Sequence, residues 1–230
     1  MGTVSIRIVS SMATREVLAE LADRYAAETG CRVVLESAGG VDVARRVRDG
    51  ETVDVVVLAA KAIGDLVGAG RLLADSRVDL FRSGIAVAVR AGAAQPDIST
   101  EAAVKAAVLA AATLGYSTGP SGVYLEGLFA RWGVHDQLRP RIVQAPPGVP
   151  VGRLVACGEV ELGFQQLSEL MHLTGIAVLG PLPQAIQSIT VFSGAVSVAS
   201  SCKGLSRRLL ASMTQPQATG SIVMQGMEPA

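Results

Sequence analysis

The strongest constraint in the sequence is an alternation of short apolar runs, small-residue loops and helical periodicity that occurs three times before residue 70. Strands are predicted over residues 5–9, 31–35 and 54–58, and helices over residues 14–29, 41–48 and 62–69. Continuous apolar strands that alternate with helices are typical of a parallel sheet covered on both faces. In such sheets ligands bind at the carboxyl ends of the strands, which is where these loops lie.

The same alternation continues beyond residue 84 and then returns to the first block. Strands are predicted over residues 84–90, 114–116, 142–144, 162–165, 176–179, 189–192 and 194–199. The chain would cross between two lobes near residues 81–84 and 190–194. We therefore predict an α/β fold, a two-lobed clamshell with hinge crossings. Residues 1–81 and 194–230 would form the first, discontinuous lobe, residues 82–193 the second, and a ligand cleft would lie between them.

Composition excludes several classes of function. The 230 residues carry 20 basic and 20 acidic side chains, so the formal net charge is zero. A nucleic-acid-binding protein would usually show a basic excess, so we expect no nucleic-acid partner. No stretch of 18 uncharged apolar residues is present, so we expect no membrane insertion.

The N-terminal residues and the cysteines bear on the cellular compartment. The first strand begins without a preceding apolar segment of a signal peptide, so a cytoplasmic location is expected for the sequence as written. A periplasmic location is expected if a signal has been removed. Cys31, Cys157 and Cys202 lack metal-like spacing and are expected to be reduced thiols.

One turn between a predicted strand and a predicted helix combines several small hydrogen-bond donors. The first N–H groups of a helix have no intrahelical partners, and the helix dipole adds partial positive charge. Such a turn binds an anion without needing a lysine. The candidate ligands are Ser117, Thr118, Ser121 and Gly122. The alternative is an ordinary helix start, in which Ser121 or Thr118 only caps.

Two loops in the first block offer similar donors. Ser10 and Ser11 either donate to an anion or cap the first helix. Ser37, Gly39 and Gly40 either form a second nest of N–H donors or only a turn.

Longer polar side chains complete the candidate set. Arg82, at a predicted crossing, either clamps a carboxylate or is a solvated hinge residue. Gln165 and Gln166 end an apolar strand, and because a buried amide is costly without partners, ligand contact is one interpretation of this pair. Glu169 and Lys61 are the candidates for a catalytic base. The sequence shows no Ser-His-Asp arrangement, metal-ligand cluster or nucleotide fingerprint, so no metal and no cofactor are expected.

Several short segments occur along the chain in this order: Ser10-Ser11, Glu28-Thr29-Gly30, Ser37-Ala38-Gly39-Gly40, Gly50-Glu51-Thr52-Val53-Asp54-Val55-Val56, Gly119-Pro120-Ser121-Gly122-Val123-Tyr124 and Gly158-Glu159-Val160-Glu161-Leu162-Gly163. By their order and spacing these segments resemble the type 2 periplasmic-binding-protein fold and, within it, the molybdate-binding-protein-like family. The resemblance covers essentially the whole chain.

The sequence departs from the molybdate pattern after Gly163, where molybdate binders tend to carry a tyrosine that closes on the oxyanion. Here the run is Phe164-Gln165-Gln166-Leu167-Ser168-Glu169. This run, with Gly180-Pro181-Leu182-Pro183 and Gly226-Met227-Glu228-Pro229, is similar to the aconitate-isomerase-like branch. That resemblance implies a small carboxylate ligand and a proton-shifting reaction on it.

Three functions follow from these observations. The first is binding of a small anion, a di- or tricarboxylate or an oxyanion, in the interlobe cleft, as a solute-binding-protein-like protein. The second is an isomerase of the aconitate type, which shifts a double bond by proton transfer in an unsaturated tricarboxylate. The third is the molybdate- or tungstate-binding component of an ABC transporter, with the transporter as partner if the protein is exported. The oligomeric state does not follow from the sequence.

Overall fold

A computed structural model describes residues 5–230, so the first four residues of the predicted first lobe lie outside the described part. The chain forms two compact units. The first contains the residues up to Arg82 together with Val191–Ala230, and the second contains Ser83–Thr190. The sequence had placed the boundaries after residues 81 and 193.

The first unit begins with three strands, each followed by a helix. These elements are β1 (Ser5–Ser11), α1 (Arg15–Thr29), β2 (Arg32–Ala38), α2 (Gly40–Arg48), β3 (Val55–Ala59) and α3 (Ala60–Gly68). β1 pairs in parallel with both β2 and β3. The carboxyl ends of all three strands therefore meet at one edge of this sheet, as the alternation predicted. Gly30, with φ of 69°, ends α1 in the left-handed conformation that glycine adopts without strain.

The chain enters the second unit through β4 (Val78–Arg90) and leaves it through β9 (Ile189–Val196). Between them lie α4 (Glu101–Ala110), β5 (Leu114–Ser117), α5 (Pro120–Arg131), α6 (His135–Leu138), β6 (Ile142–Ala145), α7 (Val151–Cys157), β7 (Leu162–Gln166), α8 (Leu167–Leu170) and β8 (Ile176–Pro181). After β9 come α9 (Lys203–Ser212), α10 (Thr219–Met224) and β10 (Glu228–Pro229).

The sheet of the second unit repeats the edge found in the first. β5 pairs in parallel with β6 and β7, so the carboxyl ends of these three strands lie together. β4 runs antiparallel to β7 and to β8. In the first unit, β9 runs antiparallel to β3, and the short β10 runs antiparallel to the start of β4.

Both faces of the first sheet are buried, because successive side chains of a strand point to opposite faces. Val55 and Val57 pack with residues of α1 and α9, whereas Val56 and Leu58 pack with residues of α2 and α3. This two-sided burial explains why β3 is a continuous apolar run. Among the described residues, no helix is long and apolar enough to cross a membrane.

The returning strand corrects one prediction. The sequence predicted separate strands over residues 189–192 and 194–199, but β9 is one strand from Ile189 to Val196. Gly194 does not break it. A β-carbon at position 194 would crowd Leu210 and Leu80, so the glycine provides room for close packing.

Candidate functional site

The edge of the first sheet brings two predicted donor loops together. Ser10 and Ser37 are partners in the parallel register of β1 and β2, and their hydroxyl oxygens are 2.8 Å apart. Ser10 is fully buried and also donates to the carbonyl oxygen of Ser11. Both serines therefore belong to one small polar cluster at the carboxyl ends of the strands.

Gly40 adds a helix start to this cluster. α2 begins at Gly40, and its N-cap residue, Gly39, provides no side-chain hydrogen bond. A β-carbon at position 40 would lie 3.5 Å from Cβ of Ser11, so the two loops are in contact. The Ser11 hydroxyl lies 3.5 Å from that of Thr14, a buried residue that the sequence did not single out. The N–H groups of the first turn of α2, which have no intrahelical partners, therefore lie beside Ser11.

The edge of the second sheet contains the turn that leads from β5 into α5. Gly119 is the N-cap of α5, Pro120 is its first residue, and no side chain caps the helix. The alternative in which Ser121 or Thr118 only caps the helix is therefore wrong. Proline is well suited to the first helical position because it lacks an N–H group there.

The hydroxyl groups of this turn differ in their surroundings. Ser121 is 2% exposed, and its hydroxyl has no hydrogen-bond partner among residues 5–230. Thr118 is exposed, and the Ser117 hydroxyl accepts from the N–H of Gly119 at 3.2 Å. Ser121 therefore offers a donor that the protein itself does not use.

Gln165 is part of an internal relay. The N–H of Val151, at the start of α7, donates to Oε1 of Gln165 at 2.8 Å. Nε2 of Gln165 donates to Oε1 of Glu169, also at 2.8 Å. The amide is 2% exposed, so it links the carboxyl end of β7 to both neighbouring helices.

Glu169 is a carboxyl group with an unusual environment. The residue is half-buried beside the carboxyl end of β7. This burial raises its pKa to about 7, and the hydrogen bond from Gln165 acts in the opposite direction. Beside it, the hydroxyl of Ser168 is enclosed and has no partner among the described residues.

Gln166 contacts the two strands that cross between the units. In the amide orientation that satisfies every polar atom, its oxygen accepts from the Thr190 hydroxyl at 2.8 Å. Its nitrogen donates to the carbonyl oxygens of Ser83 and Gly84 at 2.9 and 3.2 Å. The contacts of this buried amide are thus with the crossing segments, an arrangement that the sequence pattern did not indicate.

The two candidate cations have partners within the first unit. Nε of Arg82 donates to the carbonyl oxygen of Pro229 at 3.1 Å, and the guanidinium lies 3.9 Å from Glu228. Lys61 extends into solvent and forms an ion pair with Asp65 at 2.8 Å. Neither side chain joins the cluster of Ser10, Ser11 and Ser37, and the described residues contain no group of acidic, histidine or cysteine side chains suited to a metal.

These strand edges and the element order define the class of protein: it has the type 2 periplasmic-binding fold, as the sequence predicted. The chain belongs to the family of bacterial extracellular solute-binding proteins, whose sequence profile matches residues 6–228. It is similar to an aconitate isomerase from a Pseudomonas species, with 36% identity over 98% of this chain and 88% of that protein. The predicted resemblance to the aconitate-isomerase-like branch is thus confirmed.

Solved structures agree on the fold. The periplasmic molybdate-binding protein of Azotobacter vinelandii has a TM-score of 0.80 and 21% identity, with 96% of this chain and 98% of that chain covered. The sulfate-binding protein SubI of Mycobacterium tuberculosis has a TM-score of 0.79 and 18% identity, with 99% and 87% covered.

Proposed function

We propose that this protein binds a small anion, and that its preferred ligand is a di- or tricarboxylate. The observation that carries the proposal is the start of α5, where a buried serine hydroxyl without a protein partner accompanies uncapped helical N–H groups. Neutral donors of this kind hold anions by hydrogen bonds and by the helix dipole. The second donor set is the cluster of Ser10, Ser11, Ser37, Gly39 and Gly40.

The relatives of this protein support an anionic ligand. That the anion is a carboxylate is our proposal. The structural relatives named above bind molybdate and sulfate, whereas the relative at 36% identity is an aconitate isomerase. A tetrahedral oxyanion is small and needs one compact cage of donors. A tricarboxylate carries separated charges and needs donors at several places.

A thermal-shift screen tests this proposal. Citrate, trans-aconitate, succinate, sulfate, molybdate and tungstate would be added separately, with an amine and a neutral sugar as controls. A ligand that binds only the native state raises the melting temperature by mass action. We expect carboxylates to give the largest rise. A response to the sugar with none to any anion would refute the proposal.

A second candidate function is isomerisation of an unsaturated tricarboxylate, and the 36% identity to an aconitate isomerase favours it. A base would remove a proton alpha to a carboxylate, and the proton would return at the other end of the allylic system. Glu169 suits this role better than Lys61, because a carboxyl with a pKa of about 7 both accepts and donates protons near neutral pH. Lys61 is exposed and paired with Asp65.

Nuclear magnetic resonance of aconitate in deuterated water tests the isomerase directly. We expect interconversion of the cis and trans forms with deuterium incorporation, and its loss in Glu169→Gln. Lys61→Gln is the control that should retain the activity. Binding of aconitate without interconversion would leave a binding protein. Tight binding of molybdate or tungstate alone would instead favour the third function, a transporter component.

A further inference from the structure

We propose that Glu169 takes up a proton from solvent when an anion binds in the second unit, so that binding strengthens as the pH falls. This inference rests on the proposed anion-binding function. It adds a coupling between ligand and proton that depends on the position of one carboxyl group.

The relay, the hydrogen bonds that join Val151, Gln165 and Glu169, holds this carboxyl at the edge of the sheet where the turn from β5 into α5 lies. Gln165 holds Glu169 by its amide nitrogen and the N–H of Val151 by its amide oxygen. Gly115 and Gly163 are partners in the parallel register of β5 and β7, so Ser117 and Gln165, two residues further on, stand at the same level. Neighbouring strands are about 4.8 Å apart. The relay is therefore one strand away from the loop that begins at Ser117.

No cation compensates the charge of Glu169. The elements packed around α8 are β4, β7, β8 and α7. Their ionisable side chains in the second unit are Arg90, Arg153 and Cys157, and His172 follows the helix. Among the described residues, none of these side chains forms an ion pair or a hydrogen bond with Glu169. The carboxyl of Glu169 accepts its hydrogen bond from the Gln165 amide. Farther along β4, Asp79 and Arg82 bond to Ser193 and Pro229.

The direction of the coupling follows from these surroundings. Burial raises the pKa of Glu169 to about 7 against the opposing effect of the Gln165 hydrogen bond, so this carboxyl titrates near neutral pH. A second negative charge close by disfavours the ionised form further. The proton goes onto a carboxylate oxygen, while the other oxygen still accepts from Gln165. Binding near pH 7 should therefore be accompanied by the uptake of a fraction of a proton.

Calorimetry with citrate measures this uptake. Titrations at pH 7 in Hepes and in Tris, which have different ionisation enthalpies, should give different apparent binding enthalpies for the wild type. Citrate itself titrates, so the result is the difference between wild type and Glu169→Gln, which lacks the ionisable group. We expect the variant to lose the part of the uptake that the wild type owes to Glu169 and to show a flatter pH dependence between pH 6 and 8.

Glu159→Gln is the matched control, because Glu159 is an exposed carboxylate in the turn before β7. It should behave as the wild type does. Equal proton uptake in wild type and Glu169→Gln would overturn the inference and leave the proposed function intact. The absence of any anion binding would overturn both.

A measurement on the unmodified protein covers the case in which Glu169→Gln fails to fold. The ¹³C signal of the Glu169 carboxyl would be titrated with and without citrate. We expect the midpoint to rise by about one pH unit or more when citrate is bound. An unchanged midpoint under saturation would overturn the inference.

Discussion

Gly122 packs directly against the carbonyl group of Ser117. A β-carbon at position 122 would overlap the Ser117 oxygen and would also crowd the ring of Tyr116. The contact joins the end of β5 to the first turn of α5. It thereby sets the spacing between the hydroxyl of Ser117 and the N–H groups that open α5.

We expect Gly122→Ala to destabilise the protein by more than about 3 kcal/mol, because the backbone must move to relieve the overlap. Anion binding should be lost with it. Gly127→Ala is the control in the same helix, since nothing lies within 4 Å of a β-carbon there. That control should raise stability by roughly 0.5–1 kcal/mol. Urea unfolding compares the two, and equal stabilities would contradict the packing argument.

Removal of the Ser121 hydroxyl tests the proposed anion site with little change in volume. Because this hydroxyl has no protein partner, Ser121→Ala should leave folding stability nearly unchanged. Carboxylate affinity should fall by about 1 kcal/mol, the usual value of one hydrogen bond. Calorimetry checks this, with the exposed Ser201→Ala as control. An affinity equal to that of the wild type would exclude Ser121 as a ligand.

Competition between ligand classes is a separate prediction. Citrate or another di- or tricarboxylate should displace molybdate, because the tyrosine expected in the oxyanion closure is absent after Gly163. Competition calorimetry gives the order of affinities. Nanomolar molybdate binding that carboxylates do not disturb would show that the sequence departure has no effect on ligand choice.

Gln166 is expected to act mainly on folding. Replacement by leucine would leave the Ser83 and Gly84 carbonyl oxygens and the Thr190 hydroxyl without their partner. A buried polar group that loses its partner costs about 1–3 kcal/mol. We therefore expect Gln166→Leu to lower the free energy of unfolding by about that amount. Loss of ligand affinity at unchanged stability would instead support the sequence-based prediction that Gln166 contacts the ligand.

Acid should weaken the first unit through a network of four charges. Arg46 contacts Glu51 through two bonds of 2.7 Å and Glu36 at 2.6 Å, and Arg7 lies within 3.2 Å of both glutamates. Hydrogen bonds from Arg46 are the main cause that lowers the pKa of Glu51 and of Glu36. A lowered pKa in the folded state gives stability that is present above about pH 4.5, the ordinary glutamate value, and is lost as the pH falls through the folded value.

Because this network is partly solvent-exposed, we expect its contribution to be about 1 kcal/mol. Urea unfolding at pH 6 and pH 3.5 measures it. The wild type should lose about that much more stability than Glu51→Gln over this range. A parallel decrease in both proteins would assign the acid sensitivity to other groups.

Elements that rest on local pattern were predicted well. α1, α2 and α3 begin and end within two residues of the predicted bounds. Apolar periodicity and terminal glycines such as Gly30 and Gly158 encode these elements directly. β9 was predicted poorly, because a glycine required for packing and a glycine that ends a strand look the same in sequence.

The sequence by itself determined the alternation of strands and helices and hence the edges where small donors gather. Burial on both faces of a sheet demands continuous apolar strands, and helix starts demand small residues, so both signals are local. Only the tertiary structure decided how the polar side chains are used. Pairing of Gln165 with Glu169, of Gln166 with the crossing strands and of Arg82 with the C-terminal segment depends on contacts between distant residues. A buried amide satisfies its hydrogen bonds with whichever groups the fold brings near, and a single sequence does not specify those neighbours.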